Sequence, residues 1–198
     1  MIVVTGSPRS GTSLVMQTLD ILGLPIVGEK FHADFPITEG NPKGYYDLPF
    51  AEQVEAAETG GFGDKYAGKV VKLFGESLSL VDKTVLTHII VCKRRDSRAQ
   101  DRSCLKLLKK ELEITNESEL REQAKERLKY MTLDTVGERR RIYHGAIDWY
   151  LELFTGYQHT VWFEDMKYSP KESIKELQEF FDVESKSTLK KAINNVGV

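Results

Sequence analysis

The chain has 198 residues, 40% apolar and 10% aromatic, which is typical of one soluble globular domain, and we treat 1–198 as a single domain. Its 28 basic and 30 acidic residues give a net charge of -2, so no global positive field favours a nucleic acid or a membrane surface as partner. Two cysteines outside any CxxC or Cys/His cluster argue against structural zinc, and no apolar run approaches the roughly 18 residues of a membrane span. A start without a signal-peptide pattern predicts a cytoplasmic protein.

The first predicted elements are a strand, a glycine loop and a helix. Ile2–Thr5 is a β-branched run that ends at a glycine, as a buried parallel strand does. Residues 6–13, GSPRSGTS, come next, and an apolar stripe at helical spacing then runs from Leu14 to Leu22, where Gly23 predicts the helix end.

Two loops and two strands are predicted before the middle of the chain. Val27–Pro49 is rich in Gly, Pro, Asn and aromatic residues and has no clear period, and a long irregular segment of this kind is more often functional than idle. Glu58–Gly68 is rich in glycine and predicts a mobile loop. Interior strands are predicted at Lys69–Phe74 and at Thr87–Cys92.

The second half of the chain predicts helices around one further strand. Leu105–Leu112 continues a helix, Leu120–Met131 places apolar residues on one face of a charged helix, and Glu138–Phe154 gives another. His159–Phe163 is typical of a strand, and Ser169–Glu172 has the Ser, Pro and Glu of a helix start with a capping box. Strands that alternate with helices predict a three-layer α/β/α domain with a central parallel sheet.

The loop at residues 6–13 has the outline of a phosphate-binding loop without its lysine, because Thr12 stands at that position. Backbone N–H groups, hydroxyls and the planar cation of Arg9 could still hold an anion at the helix start. A metal-dependent kinase also needs an acidic residue after a later strand, whereas these strands end in Lys72 and in Lys93–Arg95. The sequence therefore predicts a highly anionic donor, a metal-free reaction and no metal site.

Arg95 and Ser103 form a second candidate anion site. Arg95 comes just after a predicted strand, and Ser103 follows eight residues later on the next predicted helix. Eight residues are just over two helical turns, so both side chains can face one pocket near the strand end. An arginine and a serine there suit a second phosphate.

The loop at residues 6–13, followed later in the chain by Arg95 and Ser103, resembles the motifs of the sulfotransferase family that uses 3′-phosphoadenosine 5′-phosphosulfate (PAPS). Its members carry a P-[KR]-S-G-T-[ST] loop for the 5′-phosphosulfate and an R-x(7)-S element for the 3′-phosphate. Residues 41–47, NPKGYYD, and residues 163–170, FEDMKYSP, resemble two further segments of the family. The resemblance assigns nucleotide binding to Pro8, Arg9, Ser10, Gly11, Thr12, Ser13, Arg95 and Ser103.

The resemblance spans nearly the whole chain and implies a P-loop NTPase-like sulfotransferase fold, closest to the bacterial and tyrosyl-protein branches. It implies an enzyme that transfers a sulfuryl group from PAPS to a hydroxyl or amine and releases 3′-phosphoadenosine 5′-phosphate (PAP). The acceptor would be a small molecule or a hydroxyl of a glycan or peptide. No metal cofactor, no nucleic-acid partner and no membrane span are expected.

Two motifs that some members of the family use for catalysis and nucleotide binding are missing from this chain. Members that act on small phenols and steroids carry Lys-Thr-His after the second strand, with the His as general base, whereas here Leu73 and Phe74 follow Lys72. A C-terminal Arg-Lys-Gly that binds the 3′-phosphate in those enzymes is also missing. Arg9 and Lys72 are the natural cations for the leaving phosphate.

Three residues are candidates for the base that takes the acceptor proton. The tyrosyl-protein branch has a catalytic Glu about twenty residues past the basic residue of the loop, and Glu29 stands twenty past Arg9. His32 is the second candidate because an imidazole titrates near neutrality. Asp47 is the third.

Two other functions stay open. The loop outline alone also fits a small P-loop kinase that acts on nucleotides or metabolites, and the missing Lys-Thr-His base fits a protein that binds PAP or PAPS without turnover. The remaining conspicuous residues are expected to be architectural. The histidines are expected to be structural or at the surface, the aromatic residues to fill the core and the arginine run to be solvated: His88, His144, His159, Trp149, Tyr150, Phe154, Trp162, Phe163 and Arg139–Arg141.

Overall fold

The structure is a computed structural model, and it describes residues 1–30, 41, 43–114, 132–183 and 185–196. In these ranges the chain forms an α/β domain whose elements follow one another as β1 (Ile2–Gly6), α1 (Thr12–Leu22), β2 (Ile26–Val27), α2 (Phe50–Glu58), β3 (Val70–Lys72), β4 (His88–Lys93), α3 (Ser97–Ile114), α4 (Leu133–Leu153), β5 (Tyr157–Trp162), α5 (Phe163–Tyr168), α6 (Pro170–Phe180) and α7 (Lys186–Val196). Two 3-10 turns lie at Asp64–Tyr66 and Gly75–Leu80.

The five strands form one parallel sheet in the order β2-β3-β1-β4-β5. Val3 of β1 lies opposite Val71 on one side and Ile89 on the other. All five residues of β1 are buried, which explains why this strand is a nearly continuous apolar run. The prediction of a central parallel sheet between helices is confirmed.

Each face of the sheet has its own apolar core. On one face, Val3 and Ile89 pack with Ile147 and Tyr150 of α4. On the other face, the neighbouring positions of the same strands pack against α1, α6 and α7, and the buried residues include Val4, Ile90, Leu19, Ile174, Leu177 and Ala192. Successive strand side chains point to opposite faces, so one short run supplies both cores.

This topology places the glycine loop where a ligand is expected. β1 lies between β3 and β4: the chain passes from β1 to β2 and β3 on one side of it and then crosses to β4 and β5 on the other. In open α/β sheets, ligands bind beyond the carboxyl ends of the strands at such a switch point. The loop after β1 and the basic residues after β3 and β4 all lie at these carboxyl ends.

Several predicted elements differ from the observed ones. The segment around Glu58–Gly68 is a loop, but its aromatic residues Phe62 and Tyr66 are buried with their rings 5.4 Å apart, so the core anchors what was expected to be mobile. The helices α2 and α7 were not predicted. The last strand begins two residues earlier than expected, and Phe163 opens α5.

Helix starts are also corrected. α4 begins at Leu133 with Thr132 and Thr135 in a reciprocal capping box, five residues before the predicted start at Glu138. Ser169 does precede α6, with Pro170 in its first turn, but its side chain makes no capping hydrogen bond, so the predicted capping box is wrong. The predicted helix over Leu120–Met131 lies outside the described residues.

Within the part of the chain that the structure describes, no helix has the length and apolar character that crossing a membrane requires.

Three histidines make the folded state sensitive to acid. His88 stacks on Tyr157 with ring centroids 4.9 Å apart, and His159 packs on Phe180 at 5.2 Å. Burial lowers the pKa of His88, His159 and His144, with nearby Lys93 and Arg140 adding to the effect at His144. Each histidine is therefore held neutral in the folded protein at a pH where the unfolded chain takes up a proton.

We expect the melting temperature to fall as the pH is lowered from 7.5 to 5.5. The unfolded state binds more protons below the ordinary histidine pKa of about 6.5, so stability is fully present above this pH and is lost below it. Because these rings are partly exposed, the combined loss should be only about 1 kcal/mol, a few degrees. In His88→Phe the melting temperature should depend less on pH. A wild-type melting temperature that rises as the pH falls to 5.5 would contradict the expected loss of stability.

Candidate functional site

The loop between β1 and α1 is built to present backbone N–H groups. Gly11 precedes the helix with φ 103°, and Arg9 also lies in the left-handed region with φ 64°. No side chain caps the start of α1, and its first turn contains no acidic residue. The first-turn N–H groups and the positive end of the helix dipole are therefore available to an anion.

The hydroxyls of the loop point inward. Ser7, Ser10 and Thr12 are all buried. Within the described residues, Ser10 Oγ has no hydrogen-bond partner. Leaving a buried hydroxyl unpaired costs about 1–3 kcal/mol, so an oxygen-bearing ligand that accepts from Ser10 would recover it. This donor set suits an anionic group rich in oxygen atoms, such as a phosphate.

Arg9 joins the loop to α3. Its Nε donates to Ser103 Oγ at 3.0 Å, across 94 positions of the sequence. The loop arginine and the serine of the R-x(7)-S element, which sequence analysis assigned to separate phosphates, are thus in direct contact.

Lys72 brings a second cation to the loop from the end of β3. Its side chain is only 2% exposed, and Nζ lies 2.6 Å from Asp47 Oδ1, 2.7 Å from the carbonyl oxygen of Tyr45 and 3.2 Å from Ser13 Oγ. An ammonium has three donors, so all three are in use. Burial lowers the pKa of Lys72, and Asp47 opposes this by stabilising the charged form.

Glu29 and Asp47 are neighbours on a short antiparallel bridge. The N–H of Glu29 donates to the carbonyl oxygen of Asp47 at 3.0 Å. Side chains of directly paired residues share one face, with Cβ atoms about 4.5–5.5 Å apart. Two of the three candidate bases thus lie together beside Lys72, while His32 lies outside the described residues.

Glycine makes this bridge possible. A Cβ on Gly28, whose φ is 122°, would lie 2.6 Å from the carbonyl oxygen of Tyr46. Helix α1 also binds the segment that contains Asp47. Gln17 Nε2 of this helix donates to the carbonyl oxygen of Gly44 at 2.9 Å and to Asn41 Oδ1 at 3.1 Å. The NPKGYYD segment therefore fixes Asp47 against Lys72 through its anchors on α1.

Arg95 has different partners from Ser103. Its guanidinium binds both carboxylate oxygens of Asp165, at 2.5 and 2.8 Å, and lies 4.9 Å from the ring centroid of Trp162. This pairing lowers the pKa of Asp165 and raises that of Arg95. Half of the Arg95 side chain is exposed. A 3′-phosphate at Arg95 would have to compete with Asp165 for its donors.

Two residues that support the loop from below were not predicted from the sequence. Gln100 is buried on α3, and its Nε2 donates to Ser7 Oγ at 2.7 Å and to the carbonyl oxygen of Pro8 at 2.8 Å. His144, expected to be structural or at the surface, lies on α4 with Nε2 3.2 Å from Ser7 Oγ. Gln100 lies one turn before Ser103, which is a usable signal, whereas no spacing indicates His144.

Two further arginines, Arg94 and Arg140, have partners within the domain. Arg94 lies over the ring of Phe163 at 4.5 Å, and that ring would be 3.1 Å from a Cβ on Gly11, so Phe163 packs against the loop. Arg140 forms an ion pair with Asp101 of α3 at 2.9 Å, although the arginine run was expected to be solvated. Its neighbours in that run are exposed, as expected.

No protein-family model matches the chain, and no curated protein matches it at a significant level. In the described ranges, no group of three or more His, Cys, Asp or Glu side chains could hold a metal ion.

Proposed function

We propose that this protein is a PAPS-dependent sulfotransferase, which transfers a sulfuryl group from PAPS to a hydroxyl or amine acceptor and releases PAP. One observation carries the proposal. The lysine missing from the loop at Thr12 is replaced in space by Lys72, whose buried ammonium lies 3.2 Å from Ser13 Oγ at the start of α1. The loop has one cation of its own, Arg9, and receives a second, Lys72, from the end of β3. This arrangement suits a highly anionic donor.

The proposed reaction forms a bond from the acceptor oxygen or nitrogen to sulfur and breaks the bond from sulfur to the bridging oxygen of the 5′-phosphate. The loop N–H groups and the hydroxyls of Ser10, Thr12 and Ser13 hold the phosphosulfate. Lys72 and Arg9 stabilise the negative charge that develops on the leaving phosphate, the largest single contribution expected in such a site. To reach it, Lys72 would give up its longest contact, the one to Ser13.

Glu29 is the proposed base. The Asp47 carboxylate is already engaged by Lys72 at 2.6 Å, whereas the Glu29 side chain is exposed beside it and free to meet an acceptor. The acceptor proton would pass to Glu29 as the new bond to sulfur forms. His32 remains the second proposed base.

Arg95→Ala is expected to weaken PAP about tenfold or more, with a smaller effect on an analogue that lacks the 3′-phosphate. A charge-assisted hydrogen bond contributes about 1.5–3 kcal/mol, and only PAP can form it there. Isothermal titration calorimetry with both ligands measures the difference. Arg98→Ala, at an exposed position in the first turn of α3, is the control. Equal losses for both ligands would remove Arg95 from the 3′-phosphate site.

Turnover with radiolabelled PAPS tests the enzyme proposal itself. The protein is incubated with PAPS and a panel of phenols, alcohols, sugars, amines and tyrosyl peptides, and labelled products are separated from the donor. We expect label on at least one acceptor class and loss of the product in Glu29→Gln. Tight PAP binding with no transfer to any acceptor would favour a binding protein, and phosphate transfer from ATP with magnesium would favour the kinase.

A further inference from the structure

The outer face of α4 carries an apolar surface that the described part of the domain leaves exposed. The inner face of this helix packs Ile147 and Tyr150 into the core. On the outer face, Ile142 is 66% exposed, Trp149 59% and Leu153 48%. The expectation that Trp149 fills the core is therefore wrong. We call the outer surface formed by Ile142, Gly145, Ala146, Trp149 and Leu153 the α4 stripe.

The α4 stripe has large residues toward its ends and small ones in its middle. At 100° per residue, Ile142, Trp149 and Leu153 lie within about 40° of one another around the helix. Gly145 and Ala146 lie between them, and a Cβ on Gly145 would meet no atom within 4 Å. A second helix could approach closely at this point and receive large side chains on either side.

Charges flank the stripe in a self-complementary way. Arg141 and Glu152 are both exposed and lie on the same edge of the α4 stripe. Eleven residues, about three turns or roughly 16 Å, separate them. They have opposite charge and lie at equal distances from the point between Ala146 and Ile147.

We propose that the α4 stripe is the interface of a symmetric homodimer in which two α4 helices pack antiparallel, with the two-fold axis between Ala146 and Ile147. In an antiparallel pair related by such an axis, each edge of one helix faces the same edge of the other. Arg141 then faces Glu152 of the partner subunit, and the symmetry repeats this pair. Ile142 faces the space between Trp149 and Leu153 of the partner subunit, an arrangement of knobs and holes.

The interface leaves the proposed catalytic site free. His144 contacts the glycine loop from the opposite, inner side of α4. None of the residues proposed to bind the donor or to take the acceptor proton belongs to the α4 stripe, so variants of the stripe test assembly without altering them.

Charge reversal tests the arrangement by sedimentation equilibrium across a range of concentrations. The wild-type chain is expected to be a dimer, and Arg141→Glu and Glu152→Arg should each raise the dissociation constant about tenfold or more, because each places two like-charged pairs in the interface. An equimolar mixture of these two variants should dimerise again, since both pairs then have opposite charge. The double variant should also recover.

Apolar truncation and folding controls complete the test. Trp149→Ala should raise the dissociation constant at least about tenfold, because exposed tryptophans at interfaces are common hot spots. Circular dichroism should show unchanged helix content in every variant, since all these side chains are exposed. A wild-type chain that is monomeric at all concentrations would overturn the proposal. That result would mean that the stripe is free, or is covered by a segment of its own chain or by another protein. A dimer indifferent to both charge reversals, or a mixture that stays monomeric, would overturn it as well.

Discussion

Lys72→Met is expected to lower sulfuryl transfer by at least about hundredfold and to weaken PAP binding. Removing one preorganised donor from the charge that develops in a transition state typically costs 10²–10³ in rate. Methionine keeps much of the buried volume, and Asp47, whose side chain is 34% exposed, can be hydrated after it loses its partner. The folded state should therefore survive, at a cost in stability of about 1–3 kcal/mol.

Lys69→Met is the matched control, because Lys69 lies three residues earlier in the chain and is exposed. Calorimetry with PAP and single-turnover transfer from labelled PAPS are measured for both variants. If Lys72→Met folds and behaves like Lys69→Met in both measurements, Lys72 has no part in donor binding or transfer.

Gly11→Ala should remove anion binding and destabilise the protein. Gly11 has φ 103°, where an L-residue is strained by about 1–2 kcal/mol, and the added Cβ would lie 3.1 Å from Phe163 Cδ2. Relief of the backbone strain shifts the loop, and the N–H groups at the start of α1 then lose their geometry. PAP affinity should fall at least about tenfold.

Gly23→Ala separates backbone strain from loop function. Gly23 ends the same helix with φ 89°, and a Cβ there would meet nothing within 4 Å. We expect a similar loss of stability in thermal unfolding and no change in PAP affinity. Equal PAP affinities for the two variants would show that the loop does not hold the nucleotide.

The sequence predicted the sheet well because buried parallel strands are short apolar runs. β1, β3 and β4 are rich in β-branched residues. β3 lies inside its predicted range, β1 and β4 each end one residue beyond theirs, and the stripe of α1 ends at Gly23 as expected. The helices α2 and α7 escaped prediction. α2 has no side-chain cap, and tertiary packing decides such a segment. α7 does carry a signal that was overlooked, because Leu189, Ala192, Ile193 and Val196 follow Ser185 at helical spacing and pack one face of the helix on the core.

The candidate site was only half predictable. The loop and Lys72 carry local signals, since the loop directly follows β1 and Lys72 is the last residue of β3. The contacts that complete the site join positions far apart in the chain: Ser7 and His144 are 137 positions apart, and Lys72 and Asp47 meet only because α1 anchors residues 41–47. Chain pattern also cannot show that Arg95 pairs with Asp165, because both charges fit a solvated surface equally well.

Ligand-dependent thermal stability tests the central claim most directly. At a hundredfold excess over its dissociation constant, PAP should stabilise the protein by about 2.7 kcal/mol, roughly 5–10 °C for a chain of this size. ATP with magnesium should give a much smaller shift, because it lacks the 3′-phosphate and needs a metal site. Stabilisation by ATP with magnesium but not by PAP would contradict the sulfotransferase assignment.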